Sequence, residues 1–510
     1  MGLITSFKFC RLVALIVAGV FARSPKAEAR IALIVGGGGE ATVNEAGEVI
    51  SAQENLFREH FVQLGRSFEG RTGASAWEAR YFFGGNETTC VPASGGSACP
   101  PSGDVPSDSY SRATLANDMG VQPARIRMAT RQNFLDSLDE LLARPVSGGQ
   151  ILFVFPTHGS RQYPPDGAGV FSTRLALGND EWISTDDPEL ITRLQQLRER
   201  RAQMGFVQGS CHGGYALRDW TEFGCVITAS PVDLTARNSA SVADGALASC
   251  MGSGSVCGTI FWDRRTSLDE VYIRTIVQSA IENPADVPLM SGDGVSRSYY
   301  QGFFDRSPRH SLGEQRFDDM QEDVSGSYLP SLVQDLLHPS AGADSLFAAL
   351  ENRRRSEHLI VTDCWTISDF TVASETLVAN LNQIWDVVEP RHRSDLYNRL
   401  FAAAGPYPLP FTREEFVNID GTLAAINREI VRLRTELHSL YRREIERMRE
   451  GNTGALTSVR ESIRERLTAF RDQVNRMLSL SSLNRAASYI HTRDSGNLTP
   501  EQQACADFEL

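Results

Sequence analysis

The sequence predicts an α/β fold: a mostly parallel sheet flanked by helices, followed by a helical C-terminal region with a long antiparallel helical hairpin. Three observations predict it. Short apolar runs rich in β-branched and aromatic residues, such as Ile151–Phe155 and Met204–Val207, have the length and composition of buried strands. Between those two runs, Pro188 to Gln203 is amphipathic and opens on Asp187 as cap with Pro188 as first helical residue, so strand, helix and strand form a parallel crossover. Far downstream the period changes. Ile426, Ile430, Leu433, Leu437 and Leu440 recur at spacings of four and three, and after Gly451-Asn452-Thr453-Gly454 the stripe resumes from Leu456 to Met477.

Taken in order, residues 1–29 have a short basic start (Lys8, Arg11), an apolar core from Leu12 to Ala22 and an A-x-A site at Ala27-Glu28-Ala29, with Val20-Phe21-Ala22 as a second. This is the pattern of a secretory signal peptide, too short to span a bilayer, and it predicts an exported protein, periplasmic or extracellular. Cys10 precedes the apolar core and so is not placed as a lipid anchor. The chain of 510 residues exceeds what one compact core holds. Its composition divides it into residues 1–29, an α/β domain over 30–284, a Ser-, Gly-, Asp- and Pro-containing linker with some ordered pieces over 285–349, and the helical region over 350–510. The formal charge is −13, and the basic surplus of the leader leaves −16 from Arg30 onward. That balance argues against nucleic acid or an anionic membrane surface as a partner. Both lysines, Lys8 and Lys26, lie in the leader. Codon usage in a GC-rich genome accounts for that; protection from a lysine-specific peptidase is the sharper alternative.

The first strand, Ile31–Val35, runs into Gly36–Gly39, a turn without the Lys-Ser/Thr or the glycine spacing of a phosphate loop. A helix is expected over Ser51–Gly65, a strand over Trp77–Phe83, and loop over Gly84–Pro106. A helix capped by Thr130 should bury Phe134, Leu135, Leu138 and Leu141. After the Met204 strand come a strand at Gly224–Ala229 and helices at Ser267–Ile281 and Thr376–Val388.

Eight cysteines remain after the leader. Cys90 with Cys99 and Cys250 with Cys257 flank short loops and suit local disulfides in an oxidising compartment. With Cys211 set aside as a thiol that must stay free to act, Cys225, Cys364 and Cys505 are an odd remainder, which allows at most one more bridge. No C-x-x-C pair with matching histidines occurs, so neither zinc nor another cofactor is expected.

The chemistry gathers at two strand ends. Pro156-Thr157-His158-Gly159-Ser160 follows the Ile151 strand, and Gln208-Gly209-Ser210-Cys211-His212-Gly213-Gly214 follows the Met204 strand. In open α/β sheets, reacting groups collect outside the carboxyl ends of the strands, so His158 and Cys211 should face one another. A cysteine nucleophile needs a base or imidazolium beside it and backbone donors aimed at the oxyanion, here the N–H groups of Gly159 and Cys211. Of the loop that follows Gly224–Ala229, Ser230 and Asp233 are candidate substrate contacts, and Asp233 would select a basic side chain.

Strand–His158-Gly159, helix, strand–Ser210-Cys211 resembles the dyad of caspase-fold cysteine peptidases. Phe155-Pro156-Thr157-His158-Gly159-Ser160 and Val226-Ile227-Thr228-Ala229-Ser230-Pro231 are most similar to the legumain family. Ser210 and His212 depart from that family's pattern. The resemblance covers about Arg30 to Pro284 and implies a caspase-like peptidase domain that hydrolyses peptide bonds through a thioester acyl-enzyme, with protein or peptide substrates and no cofactor. Two other uses stay open: an inactive scaffold that works through its helices, and a transpeptidase in which an amine resolves the acyl-enzyme. The helical region is either a separate binding or oligomerisation module, or a cover held against the peptidase domain until the linker is cut at Arg353-Arg354-Arg355.

Overall fold

The computed structural model describes residues 29–37, 42–43, 49–51, 54–72, 76–84, 112–162, 172–178, 181–211, 213–230, 239–251, 257–258, 260–261, 265–282, 288–292, 390–450 and 453–510. The leader core, Cys90, Cys99, His212, Asp233, Arg353–Arg355, Cys364 and the helix expected over Thr376–Val388 lie outside the described residues.

In chain order the elements are β1 (Arg30–Gly36), a small hairpin of β2 (Thr42–Val43) and β3 (Val49–Ser51), α1 (Glu54–Glu69), β4 (Glu78–Phe83), α2 (Arg112–Met119), β5 (Ile126–Met128), α3 (Arg131–Leu142) and β6 (Gln150–Phe155). Then follow β7 (Gly159–Gln162), β8 (Ser172–Ala176), β9 (Trp182–Ser184), α4 (Pro188–Glu199), β10 (Gln203–Gln208), α5 (Tyr215–Trp220), β11 (Gly224–Thr228), α6 (Ser239–Met251), α7 (Leu268–Glu282) and β12 (Leu289–Met290). The C-terminal region supplies α8 (Pro390–Ala404), α9 (Arg413–Val417), α10 (Ile419–Arg449), α11 (Thr453–Asp494) and α12 (Pro500–Asp507).

The main sheet has seven strands in the order β12-β11-β10-β6-β1-β4-β5, parallel throughout except for β12 at one edge. The chain winds outward from β1 through β4 to β5, then returns to the other side of β1 and winds through β6, β10 and β11. The reversal falls between β1 and β6, which makes their carboxyl ends the switch point where such sheets bind ligands. Both faces are covered, as the unbroken apolar runs of the strands require. Alternate residues of β6 divide between the faces. Ile151, Phe153 and Phe155 pack with α3, α4 and α5, whereas Leu152 and Val154 pack on the side of α1, α6 and α7.

Local signals set the helix ends. Thr130 accepts from the Asn133 N–H, and Asp187 accepts from Glu189 and Leu190, both as N-caps. The expected extension of the latter helix to Gln203 is corrected. It ends at Glu199, because Arg201 turns left-handed (φ 60°) and closes the end with bonds from Arg201 N to Arg198 O and from Ala202 N to Leu197 O. The helix expected from Ser51 is also corrected. Ser51 pairs with Thr42 in the small hairpin, and α1 begins at Glu54 and runs on to Glu69.

The C-terminal helices belong to the same core. α11 runs antiparallel along α7: Ser479 Oγ donates to Ala280 O (2.7 Å) near one end, and Tyr489 and Arg493 both donate to Asp269 (3.0 and 2.7 Å) near the other. α12 then reaches the amino end of the sheet, away from the strand ends that carry His158 and Cys211. There Phe508 stacks on Trp77, Leu268 N donates to Phe508 O (3.1 Å), and Leu510 N donates to Thr266 O (2.8 Å). Cys505 is joined to Cys225 of β11, 280 residues upstream, and Cys250 is joined to Cys257. The contact between the C-terminal helices and the α/β domain is therefore covalent as well as apolar. α10 packs against the first half of α11 as the expected hairpin, with Ile430, Leu433 and Leu437 facing Ile463, Phe470 and Met477 in a buried seam. Among the described residues, no helix is long and apolar enough to cross a membrane.

Candidate active site

β6 and β10 are adjacent and parallel, and their last paired residues are Phe155 and Gln208. His158 and Cys211 each stand three residues past that pair, so equal overshoot brings both to the same level above the sheet. Gly209 N donates back to Phe155 O (3.2 Å) and keeps the two exits together. The closeness is seen at Gly159, where a Cβ would overlap the Cys211 carbonyl oxygen and stand 2.9 Å from Ser210 Oγ. Only glycine allows the two loops this approach.

The histidine loop is fixed from two sides. Thr157 makes a parallel bridge to Gly37 at the end of β1, and its buried hydroxyl donates to Ala176 O (2.6 Å). Ala176 N donates to His158 O (2.9 Å), after which Gly159 opens β7 opposite Leu175. That bond makes Gly159/Leu175 a non-hydrogen-bonded pair of the antiparallel ladder, so the Gly159 N–H points away from β8.

The His158 ring is half-buried and meets Phe57 of α1 edge to face at 4.5 Å. Burial lowers its pKa below the ordinary imidazole value, so the ring is neutral at neutral pH and able to accept a proton. Cys211 is half-buried and outside any disulfide.

Sequence reasoning placed Ser230 among the substrate contacts. The structure buries it completely beneath the cysteine loop. Its Oγ donates to Ser210 O (3.1 Å) and accepts from Gly213 N (3.3 Å), spending the hydroxyl on backbone to either side of Cys211. Gln208, also fully buried, donates through Nε2 to Ser210 Oγ (2.8 Å). Phe57, Gln208 and Ser210 were not picked out as partners of the dyad from sequence. The only available signal was their position, at a helix start and a strand end, and position does not say which way a side chain points.

One turn along α1 from Phe57, His60 is buried against Asp244 of α6, with Nδ1 and Oδ2 3.9 Å apart and no hydrogen bond to either. Burial lowers His60 to about 4 and raises Asp244 well above the usual carboxylate range. Among the described residues no group of His, Cys, Asp and Glu is arranged to hold a metal ion. The site as described is built from one thiol, one imidazole and backbone amides. No protein-family model matches this chain, and no curated protein or solved structure matches it either.

Proposed function

We propose that this chain is a cysteine endopeptidase with a caspase-like domain, similar in its motifs to the legumain family. The observation that carries the reading is the placement of His158 and Cys211 at matched positions beyond the adjacent parallel strands β6 and β10, with Gly159 packed on the Cys211 backbone. His158, neutral at neutral pH, takes the Cys211 proton as the sulfur attacks the scissile carbonyl. The N–H groups of Gly159 and Cys211 receive the oxyanion. Collapse expels the amine, which takes the proton back from His158, and leaves a thioester. A water molecule deprotonated by His158 then attacks the thioester and frees the acid and the thiol.

Two disulfides support folding in an oxidising compartment, in keeping with export directed by residues 1–29. Asp233 remains the proposed selector of a basic side chain, and Ser230 is reassigned below. The test is labelling with peptides that carry a thiol-directed electrophile, read by mass spectrometry, together with cleavage of a peptide library. Fast modification at Cys211, lost in His158→Ala, is the expected result. A thiol that reacts no faster than free cysteine, in a chain that cleaves no peptide, would exclude the peptidase and leave the scaffold.

A further inference from the structure

Cys211 lies on the loop between the end of β10 at Gln208 and the start of α5 at Tyr215, and its described residues belong to no helix or strand. Two fully buried polar side chains nevertheless fix it. From β11, Ala229 N donates to Gln208 O (2.9 Å), and the next residue, Ser230, bonds the Ser210 carbonyl and the Gly213 N–H. Thr228 in turn donates through its hydroxyl to Ser230 O (3.3 Å), which holds the Ser230 backbone in place. From β10, Gln208 holds the Ser210 hydroxyl, and that hydroxyl faces the open side of Gly159. The bonds made by the Ser230 and Gln208 side chains end on the residue before Cys211 or on the one two after it.

We propose that Ser230 and Gln208 are positioning residues that hold the Cys211 thiol and backbone N–H in register with His158 and Gly159; this rests on the reading of Cys211 as nucleophile. Ser230 sets the backbone of the loop and Gln208 sets the Ser210 side chain that spaces the loop from Gly159. The Ser230 hydroxyl donates to one carbonyl and accepts from one N–H, so truncating the side chain to the methyl of alanine removes both bonds and leaves the loop unpinned. Displacements of about 1 Å at a reacting group cost on the order of 10²-fold in rate, with little effect on binding made elsewhere.

The experiment compares Ser230→Ala and Ser230→Thr with the unsubstituted chain in three readouts: kcat and KM on a cleaved peptide, the pH midpoint of Cys211 alkylation by iodoacetamide, and the melting temperature. Ser230→Ala should lower kcat about tenfold to a hundredfold with KM changed less than about threefold, and should move the alkylation midpoint. Ser230→Thr, which keeps the hydroxyl, should recover most of the rate and the original midpoint. A folded Ser230→Ala protein with unchanged kcat and midpoint would overturn the proposal, as would equal losses in the Ala and Thr variants. If Ser230→Ala does not fold, Gln208→Met removes the second brace at similar volume, and the same split between kcat and KM decides. Failure of the peptidase reading looks different. The unsubstituted chain would then cleave nothing, while the alkylation midpoint would still show whether Ser230 sets the thiol.

Discussion

Gly159 and Cys211 are packed so closely that a single methyl on Gly159 would strike the Cys211 carbonyl oxygen. The backbone donor proposed for the oxyanion thus touches the residue proposed as nucleophile. Gly159→Ala must push the two loops apart, and we expect kcat to fall by about 10²-fold or more while the protein still melts cooperatively. Steady-state kinetics beside a melting curve checks this, and an active Gly159→Ala enzyme would remove Gly159 from the oxyanion hole.

Cys211→Ala should abolish peptide cleavage without loss of fold, and His158→Ala should reduce turnover by roughly 10²–10⁴-fold. Circular dichroism and single-turnover assays together test this. Retained activity in Cys211→Ala protein would refute the assignment.

The packing of Phe57 on His158 has a pH signature. Burial holds the His158 pKa below 6.5, so the neutral ring persists to lower pH than for a free imidazole. The acid limb of kcat/KM should accordingly lie below 6.5, and Phe57→Ala, which hydrates the ring, should move it upward. A limb that stays fixed in the variant would mean that Phe57 does not set the titration.

Asp244 predicts a gain rather than a loss. Its folded pKa is raised well above 3.8, so above that pH the unfolded chain releases a proton that the native state retains. The native state is therefore penalised as pH rises, and Asp244→Asn should raise the melting temperature at pH 7–8 while changing it little near pH 3. His60 acts in the opposite sense. Its pKa of about 4 contributes stability above 6.5 that is lost as pH falls toward 4, on the order of 3 kcal/mol. A lower melting temperature for Asp244→Asn at neutral pH would show that the pair is ionised.

The disulfide from Cys225 to Cys505 changes what a cut between residues 301 and 389 can do. If the helical region were a cover held only by the linker, one of its two expected uses, it would leave the α/β domain after such a cut. With α11 and α12 in the shared core and Cys505 bonded to β11, the two parts should migrate together without reductant and separate only when reduced and denatured. Non-reducing and reducing gels after limited proteolysis decide this. Residues 30–349 alone should be insoluble, since they would expose the surface covered by Leu483, Ile490 and Phe508, each worth roughly 1.5–3 kcal/mol when buried. Replacing both Cys225 and Cys505 by Ser should cost about 3–5 kcal/mol, read as a lower denaturation midpoint.

Features set within a few residues were legible in the sequence. The caps Thr130 and Asp187, the strands on either side of α4, and the stripe from Ile426 to Met477 all follow from local spacing. The adjacency of the loops that carry His158 and Cys211 was legible because two strand ends were recognisable, and a parallel pair joined by a helix brings such ends side by side. The second sheet, β7-β8-β9, was not legible, since Gly159–Gln162 and Ser172–Ala176 are short and lack clear alternation. Arg201 gave no stop signal for α4, because an arginine in the left-handed region is uncommon. The inward turn of Ser230 and the docking of Phe508 under Trp77 depend on partners far away in sequence. No local pattern records them.

The bond between Cys225 and Cys505 also imposes an order on synthesis. Made from its amino end, the chain completes every strand of the main sheet some 200 residues before Cys505 exists to pair with β11. Through that interval Cys225 is a reduced thiol only 14 positions beyond Cys211, the cysteine proposed as nucleophile. An early Cys211–Cys225 bridge would consume the proposed nucleophile and trap β11 in the wrong partnership. β11 guards against this in its own way: Cys225 sits on the second residue of the strand, near its amino end, while Cys211 lies beyond the carboxyl end of β10, so forming the sheet moves the two sulfurs to opposite ends of the paired strands. Rapid pairing of β10 with β11 is thus a chemical safeguard, and slow strand pairing in an oxidising medium should yield inactive chains whose error is a misplaced disulfide.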